Sequence, residues 1–538
     1  MTERAMACCL FLVLGCATAP QPRSPETDDG QAGWQALADG RRAEAEALFA
    51  RRLRAAARDP IALFGRASIA YERGLAESAI DDYTTALAAV AESADGDLPA
   101  LIAPVAAARV GALYDEIGAA ARRRSIDRLH PAELARSPRL PWLARVELLR
   151  LATHAAREVG DANELGRVGD TSGCVTLAAD VGVIGPLASA DLEAPLPAAR
   201  RAQQSWRPVT ASGCHVELPS TSDGRGGARV VRMAFDAQPG PYDVVIDYAG
   251  EGRLSIDGGP ARAHGSPTRY GPRTSAVRVT LAAGRHDLEL RLATKAGVAG
   301  FALYVLHADR GAAGRATAAV HFVDPRQGGP AAAPASPAAS PDPVAAVPPG
   351  PLADYCAAAI AQRIEAADDA LAAVGRLRGR PRFAVGLALA GSVAHDDPTR
   401  PASIARDAAR TALRAAVAID PELARPWHDL ASLALEDERP RDAIEAGRAA
   451  LRAAPGWWSP QLLLARAFTA RGLEFDANRA IEAAAHAAGD DRPCPVLEAL
   501  RRRAQDRRAL DEETRLESAL VACGGNVEAR VERLRARG

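Results

Sequence analysis

The side chains in this 538-residue sequence best suited to chemistry are its cysteines and a few histidines standing beside carboxylates. Cys356 is the first candidate, because a thiol near a helix start can have a lowered pKa and act as a nucleophile. Thiol catalysis also needs a positioned histidine, and no accompanying His motif follows downstream. His286-Asp287, at the start of an expected strand, reads as a solvated turn, since no paired nucleophile is evident. His428 lies on an expected helix and reads as a contact residue, not a base. Phosphate-cradling glycine loops, dinucleotide fingerprints, calcium loops and His-Glu-x-x-His are all missing from the sequence. No cofactor, no metal and no enzymatic activity are therefore expected, and the remaining chemistry is recognition.

Composition narrows the partners. A length of 538 residues suggests three to five domains at roughly 100 to 200 residues each. With 66 Lys+Arg against 67 Asp+Glu, the formal net charge of −1 offers no field to draw nucleic acid. Hydrophobic residues at 48% and charged residues at 25% are ordinary for a folded chain, which excludes global disorder and a polytopic membrane protein. Aromatics at 4%, amid alanine-, leucine- and arginine-rich stretches, suit stacked small-residue helices better than an aromatic-lined cleft.

The first residues suggest an address. Cys8 to Leu14 is apolar but far short of the ~20 residues that span a bilayer, so it reads as the core of a secretion signal. Its end, Val13-Leu14-Gly15-Cys16, resembles the lipobox of bacterial lipoproteins. That resemblance implies a leader over 1–16, lipidation of Cys16, a polar tether over 17–33 and a body held at the cell envelope. Ala17 after the cysteine implies the outer membrane, facing the periplasm or the exterior. Disulfides persist in such compartments, and Cys174, Cys214, Cys356, Cys494 and Cys523 would remain in the mature chain. Five is odd, and none has the C-x-x-C spacing of a zinc site. Cys174 and Cys214, each in Ser-Gly-Cys, could staple the early strands; the rival is one of them paired with Cys356. Cys494 and Cys523 bracket a last helical hairpin whose first and last turns lie side by side, so they form the other expected pair.

Small and aromatic residues recur at a step of 34 at both ends of the chain. Ala45, Phe49 and Arg52 lead to Ala79, Tyr83 and Ala86, and Ala409, Leu413, Ala416 and Pro421 lead to Ala443, Gly447, Ala450 and Pro455, then to Ala477, Ile481 and Ala484. With Trp427-His428-Asp429-Leu430-Ala431 and Ala434, the pattern closely resembles the tetratricopeptide (TPR) consensus over a whole repeat. The resemblance implies two α-solenoid arrays, over 34–165 and 353–530, whose inner helices present a concave face to peptides or partner helices. Carried onto this sequence, Arg425, His428, Ser432 and Glu436, then Leu462, Arg466 and Thr469, would face that groove, as would Phe64, Ser68 and Tyr71 in the first array. Helices are expected over about 353–376 and 382–396, with Trp142 and Trp457-Trp458 as packing residues.

Between the arrays the period changes to two. Val231-Met233-Phe235, Tyr242-Val244-Ile246-Tyr248, Leu254-Ile256, Val277-Val279-Leu281, Leu288-Leu290-Leu292 and Phe301-Leu303-Val305 read as strands of an antiparallel β-sandwich over 170–323. Asp257-Gly258-Gly259 and Ala283-Gly284 read as its turns. The order of these pieces resembles the PA14 and galactose-binding-like jelly-roll modules, although the adjacent aspartates that hold calcium in some PA14 members do not occur. A Pro/Ala-rich tract over 326–352 cannot build a core and reads as a spacer leaving two separate helical bodies. The chain is thus expected to be an α+β multidomain protein, with TPR-type arrays flanking a jelly-roll-like antiparallel sandwich. Its expected work is that of an envelope scaffold or adaptor for protein partners, by analogy with TPR lipoproteins of outer-membrane assembly. The alternative is glycan or cell-wall binding by the sandwich, with the arrays as stalk.

Overall fold

The computed structural model describes residues 29–93, 97–174, 181–187, 209–212, 214–218, 227–248, 250–260, 262–264, 273–294, 299–308, 320–325, 333, 335–337, 349–364, 367–397 and 399–521. Cys16, the tether up to Asp28, Cys523 and Gly524-Gly525 lie outside them. The protein is mixed α/β, with two antiparallel sheets in a central region flanked by helices.

The first helices are α1 (Asp29–Ala38), α2 (Arg42–Ala55), α3 (Pro60–Glu72), α4 (Ala76–Ser93), α5 (Asp97–Tyr114), α6 (Ala119–Leu129), α7 (Pro131–Leu134), α8 (Trp142–Val159) and α9 (Ala162–Ser172). They pack as hairpins, α1 on α2 and α3 on α4. The residues at a step of 34 are the hairpin contacts: Ala45, Phe49, Ala79 and Tyr83 are all fully buried. Glycine makes room for the large ring, since a Cβ on Gly65 would stand 2.3 Å from Phe49. The start of α3 is set by Asp59, whose side chain accepts from Ala62 N at 2.9 Å, with Pro60 at the first helical position. Helix α5 is long and apolar enough to cross a membrane by length and composition alone. Its Leu101 to Ala107 run is buried within the protein core.

The central strands are β1 (Val181–Leu187), β2 (Thr210–Ser212), β3 (His215–Leu218), β4 (Gly227–Ala237), β5 (Gly240–Tyr248), β6 (Gly252–Ile256), β7 (Arg262–His264), β8 (Arg273–Leu281), β9 (Gly284–Thr294), β10 (Ala299–His307), β11 (His321–Val323) and β12 (Ser336–Pro337). One sheet runs β1-β4-β9-β6-β7, with β11 also on β4; the other runs β12-β8-β5-β10-β3-β2. Alternate residues of both sheets meet in one apolar core, where Val231, Phe235, Val244, Leu288, Leu290, Leu292, Phe301 and Leu303 are fully buried. The turns fall at Asp257-Gly258, where both φ values are positive, and at Gly284. A disulfide joins Cys174, just past α9, to Cys214, just before β3.

The last helices are α10 (Pro351–Arg363), α11 (Ala367–Arg378), α12 (Ala384–His395), α13 (Ala402–Ile419), α14 (Ala424–Glu436), α15 (Pro440–Ala453), α16 (Ser459–Ala470), α17 (Glu474–Ala488), α18 (Cys494–Asp506) and α19 (Leu510–Val521). The single helix expected over 353–376 is broken. Ile364 turns extended, at φ −100° and ψ 162°, and bridges Thr274 of β8, so sheet pairing overrides local helix propensity.

The two helical parts are not separate bodies. One core contains Trp34, Phe49, Phe64 and Tyr83 from the first part together with Tyr355, Phe383, Val385 and Leu389 from the last. Helix α10 packs on α1 and α5, and α12 and α14 pack on α3. The spacer argument fails because apolar faces on both sides of a linker bury each other whenever the linker is long enough to let them meet.

Candidate functional site

The face of α3 expected to be an open groove is filled by the protein itself. Phe64 and Ser68 are fully buried and Tyr71 nearly so. The Phe64 ring stacks on Trp34 at 5.7 Å and meets Tyr83 at 5.5 Å and Tyr355 of α10 at 6.2 Å. Trp34 in turn meets Tyr355 at 5.4 Å and Phe383 at 6.3 Å. Ser68 Oγ donates to Phe64 O at 2.8 Å and shares a hydrogen bond with Tyr83 OH at 3.3 Å. Rings of this kind bury about 150–250 Å² each, so this cluster supplies much of the area that joins the two ends. Phe64, Ser68 and Tyr71 are therefore corrected from a partner-binding groove to an internal docking face.

At the end of α3 the joint becomes polar. The guanidiniums of Arg109 and Arg425 lie over the Tyr71 ring at 4.0 and 3.9 Å; two such groups cannot share a face, so the ring is sandwiched. Arg425 Nε also donates to Tyr71 O at 3.0 Å, and its Nη1 and Nη2 donate to Glu116 at 2.8 and 2.9 Å, a bidentate pair. Burial works against the Arg425 charge, but Tyr71, Glu116 and Glu72 outweigh it and hold its pKa above the usual value. Beside them, burial pushes the Glu72 carboxyl up to about 7, with Arg109 and Arg425 opposing and Asp429 assisting. The joint continues through Trp458 Nε1, which donates to Glu116 O at 2.8 Å. Asp491 accepts from Ala120 N and Ala121 N at 3.0 and 2.9 Å, capping α6 from the far end of the chain. A Cβ on Gly118 would lie 1.9 Å from Asp491 O, so the two parts meet there backbone to backbone. Arg425 is thus also corrected from groove residue to structural clasp, since its charge is already bound within the chain.

The other groove candidates divide. His428 is part-buried, its ring tilted against Trp457 at 5.0 Å and hydrogen-bonded through Nε2 to Ser459 Oγ at 3.0 Å. Leu462 packs into a small core with Leu497 and Leu500. Ser432 is half-buried, whereas Glu436, Arg466 and Thr469 are exposed. His395 Nε2 lies 3.1 Å from Glu436. Asp396 first and Glu436 next, against burial, push His395 up to about 9, so this edge carries a histidine cation at neutral pH. A cavity of about 480 Å³ opens where α13, α14 and α15 meet, lined by Arg414, Trp427, Arg439, Asp442 and Glu445 among others.

The thiol and imidazole candidates are structural. Cys356 is fully buried on α10, and burial raises its thiol well above the usual range, the opposite of an activated nucleophile. His286 is fully buried, not a solvated turn: Nδ1 lies 2.7 Å from Asp257 Oδ2 and Nε2 lies 3.0 Å from Ala282 O. Alternation put it inside because Phe235 faces it across the ladder. Cys494 opens α18 and accepts a hydrogen bond from Arg122 Nη2 at 3.1 Å; its expected partner, Cys523, is outside the described residues. Among the described residues no group of three or more His, Cys, Asp and Glu side chains could hold a metal ion.

A second clasp ties the sheet to both helical parts. Arg363 of α10 donates to both Glu147 oxygens at 2.7 and 2.8 Å, and Arg150 of α8 reaches Glu147, Asp247 and Thr274 at 2.7, 2.6 and 2.6 Å. Burial would raise Glu147, but Arg150 and Arg363 outweigh it and hold the carboxyl below its usual value. Arg109, Glu116 and Arg363 carry no local pattern that singles them out, because their partners Tyr71, Arg425 and Glu147 lie far away in the chain. What fold and site define together is a helical protein whose first and last parts share a core beside a two-sheet unit, with Glu436, Arg466 and Thr469 exposed on α14 and α16. The chain matches no protein-family model, and no curated protein is similar to it.

Proposed function

We propose that this chain is a non-enzymatic scaffold or adaptor of the bacterial cell envelope, lipid-anchored through Cys16, that binds protein partners on TPR-type repeats. Its helical hairpins form TPR-type arrays flanking a jelly-roll-like sandwich, and the open face of α14 and α16 is the docking surface. The observation that carries this is the filled face of α3. Helices α10 and α14 already dock there through Tyr355 and Arg425, so hairpins of this sequence type in this chain hold helices by rings, small residues and arginine. Glu436, Arg466 and Thr469 occupy comparable places but remain exposed.

The test is crosslinking in cells that make the full chain, with a Glu436→Arg, Arg466→Glu, Thr469→Arg triple variant alongside. Defined envelope proteins recovered with the parent and lost with the triple variant support the adaptor role. Recovery of wall polysaccharide, unchanged by the triple variant, would assign binding to the two-sheet unit instead. A Cys16→Ala chain that stays with the membrane fraction would remove the lipid anchor from the reading.

A further inference from the structure

Helix α14 turns two sides to its surroundings. At about 100° per residue, Arg425, His428, Ser432 and Glu436 fall on one side, and Trp427, Leu430 and Ala434 fall on the opposite one. That second side is the floor of the cavity of about 480 Å³, and its walls are α13 and α15, which both pack on α14. Small side chains at Ala418, Ala434 and Ala446 leave the space open, and Val417, Trp427 and Leu430 make its apolar surface. Trp427 Nε1 donates to Pro421 O at 3.1 Å, which ties the polar edge of the indole to the α13–α14 turn and leaves the rest of the ring as a fixed apolar platform.

The charges around this platform divide by whether the chain already answers them. Arg439 donates to Asp437 and Asp442 at 3.2 and 3.0 Å, and Arg410 is paired with Asp407 and Asp437. Arg414 on the α13 wall and Glu445 on the α15 wall are exposed, and neither is ion-paired among the described residues. The cleft therefore offers one free cation and one free anion from two walls, above an apolar floor. An all-acidic segment or a phosphate would meet Glu445 and Asp442, and an all-basic segment would meet Arg414, Arg410 and Arg439. The complementary occupant carries both signs, with an apolar group between them. The volume, about 480 Å³, falls among those of pockets that enclose a ligand, about 300 to 1,000 Å³.

We propose that this cleft is a second docking site, which takes a polypeptide segment with an aliphatic side chain between an acidic and a basic residue. The segment crosses from the α13 rim to the α15 rim. Its aliphatic group lies against Trp427 and Leu430, its carboxylate meets Arg414 and its cation meets Glu445. The charges select the segment, because a partner of one sign puts like charge against one wall. The site shares no side chain with Glu436, Arg466 and Thr469, so it stands or falls independently of docking on that face.

Fluorescence anisotropy of dye-labelled, end-capped peptides titrated with the full chain tests this. The probe has a Glu-Leu-Arg core in a Gly/Ser background, and the controls have Glu-Ser-Arg, Glu-Leu-Glu and Arg-Leu-Arg cores. The probe should bind about tenfold more tightly than each control at low salt, with the advantage over the two single-sign peptides shrinking as salt is added. Arg414→Glu should turn the preference towards the Arg-Leu-Arg peptide, and Glu445→Arg towards the Glu-Leu-Glu peptide. Both side chains are exposed, so the denaturation midpoint should stay where it was. The site is overturned if the probe does not bind, if the single-sign peptides bind as well as the probe, or if the preferences survive both substitutions unchanged. Loss of probe binding in the Glu436→Arg, Arg466→Glu, Thr469→Arg triple variant would overturn it too, by placing the peptide on the other side of α14.

Discussion

Phe64, Ser68 and Tyr71 lie on α3, and Ser432, Glu436, Arg466 and Thr469 lie on α14 and α16, in two sets of helical hairpins. The first three are buried under the chain's own last helices; of the other four, three are exposed and Ser432 is half-buried. The difference lies in side-chain chemistry. The α3 face offers rings and a small hydroxyl, which lose little conformational entropy when covered and gain area-proportional stabilisation. The later face offers a carboxylate, a guanidinium and a threonine, which solvate well, and Glu436 has its counter-charge in His395 at the exposed edge. Helical hairpins are thus covered by the chain itself at one place and exposed at another.

The comparison breaks most visibly at Phe64. Replacing it with alanine removes the ring between Trp34, Tyr83 and Tyr355 and leaves a cavity, at a cost of about 3 to 5 kcal/mol. Urea denaturation should show a lowered midpoint for both helical parts together, because they share that core. Loss confined to the first part would mean that the last helices fold without it.

Glu116→Gln sharpens the comparison at the polar end of the joint. Arg425 would lose its bidentate carboxylate while staying covered by Tyr71 and Trp457, and breaking a buried pair of this kind costs about 3 to 5 kcal/mol. The check is a double-mutant cycle with Arg425→Met. The double variant should recover much of the loss, since no charge is then left buried without a counterpart. Losses that simply add would show that the two side chains act independently.

The step of 34 made the hairpins legible, because Ala45, Ala79, Ala409 and Ala443 sit where two helices approach most closely, and all four are fully buried. Alternation did the same for the strands, and the two Ser-Gly-Cys sequences marked the disulfide between Cys174 and Cys214. The joint was not legible. Periodicity reports which face of an element is apolar but not what covers it, and the Arg425–Glu116 clasp connects positions 309 residues apart. Low aromatic content suggests poor material for a binding cleft, whereas Trp34, Phe49, Phe64, Tyr83, Tyr355 and Phe383 gather in a core shared by both ends of the chain. Arg425 shows the limit of carrying roles across by resemblance: the position fits a groove, but the groove has an intramolecular occupant.

Arg466 marks the other side of the comparison. Its side chain is exposed on α16, so Arg466→Ala should change stability by less than about 0.5 kcal/mol, as surface substitutions away from caps and buried networks do. If that face docks a partner, the same change should weaken capture while the denaturation midpoint stays where it was. A fall in midpoint comparable to that of Glu116→Gln would instead place Arg466 in a second internal joint. In that case the last helices, like the first, would be packed for the chain's own closure, and the open face would have to be sought along the cleft lined by Arg414, Trp427 and Glu445.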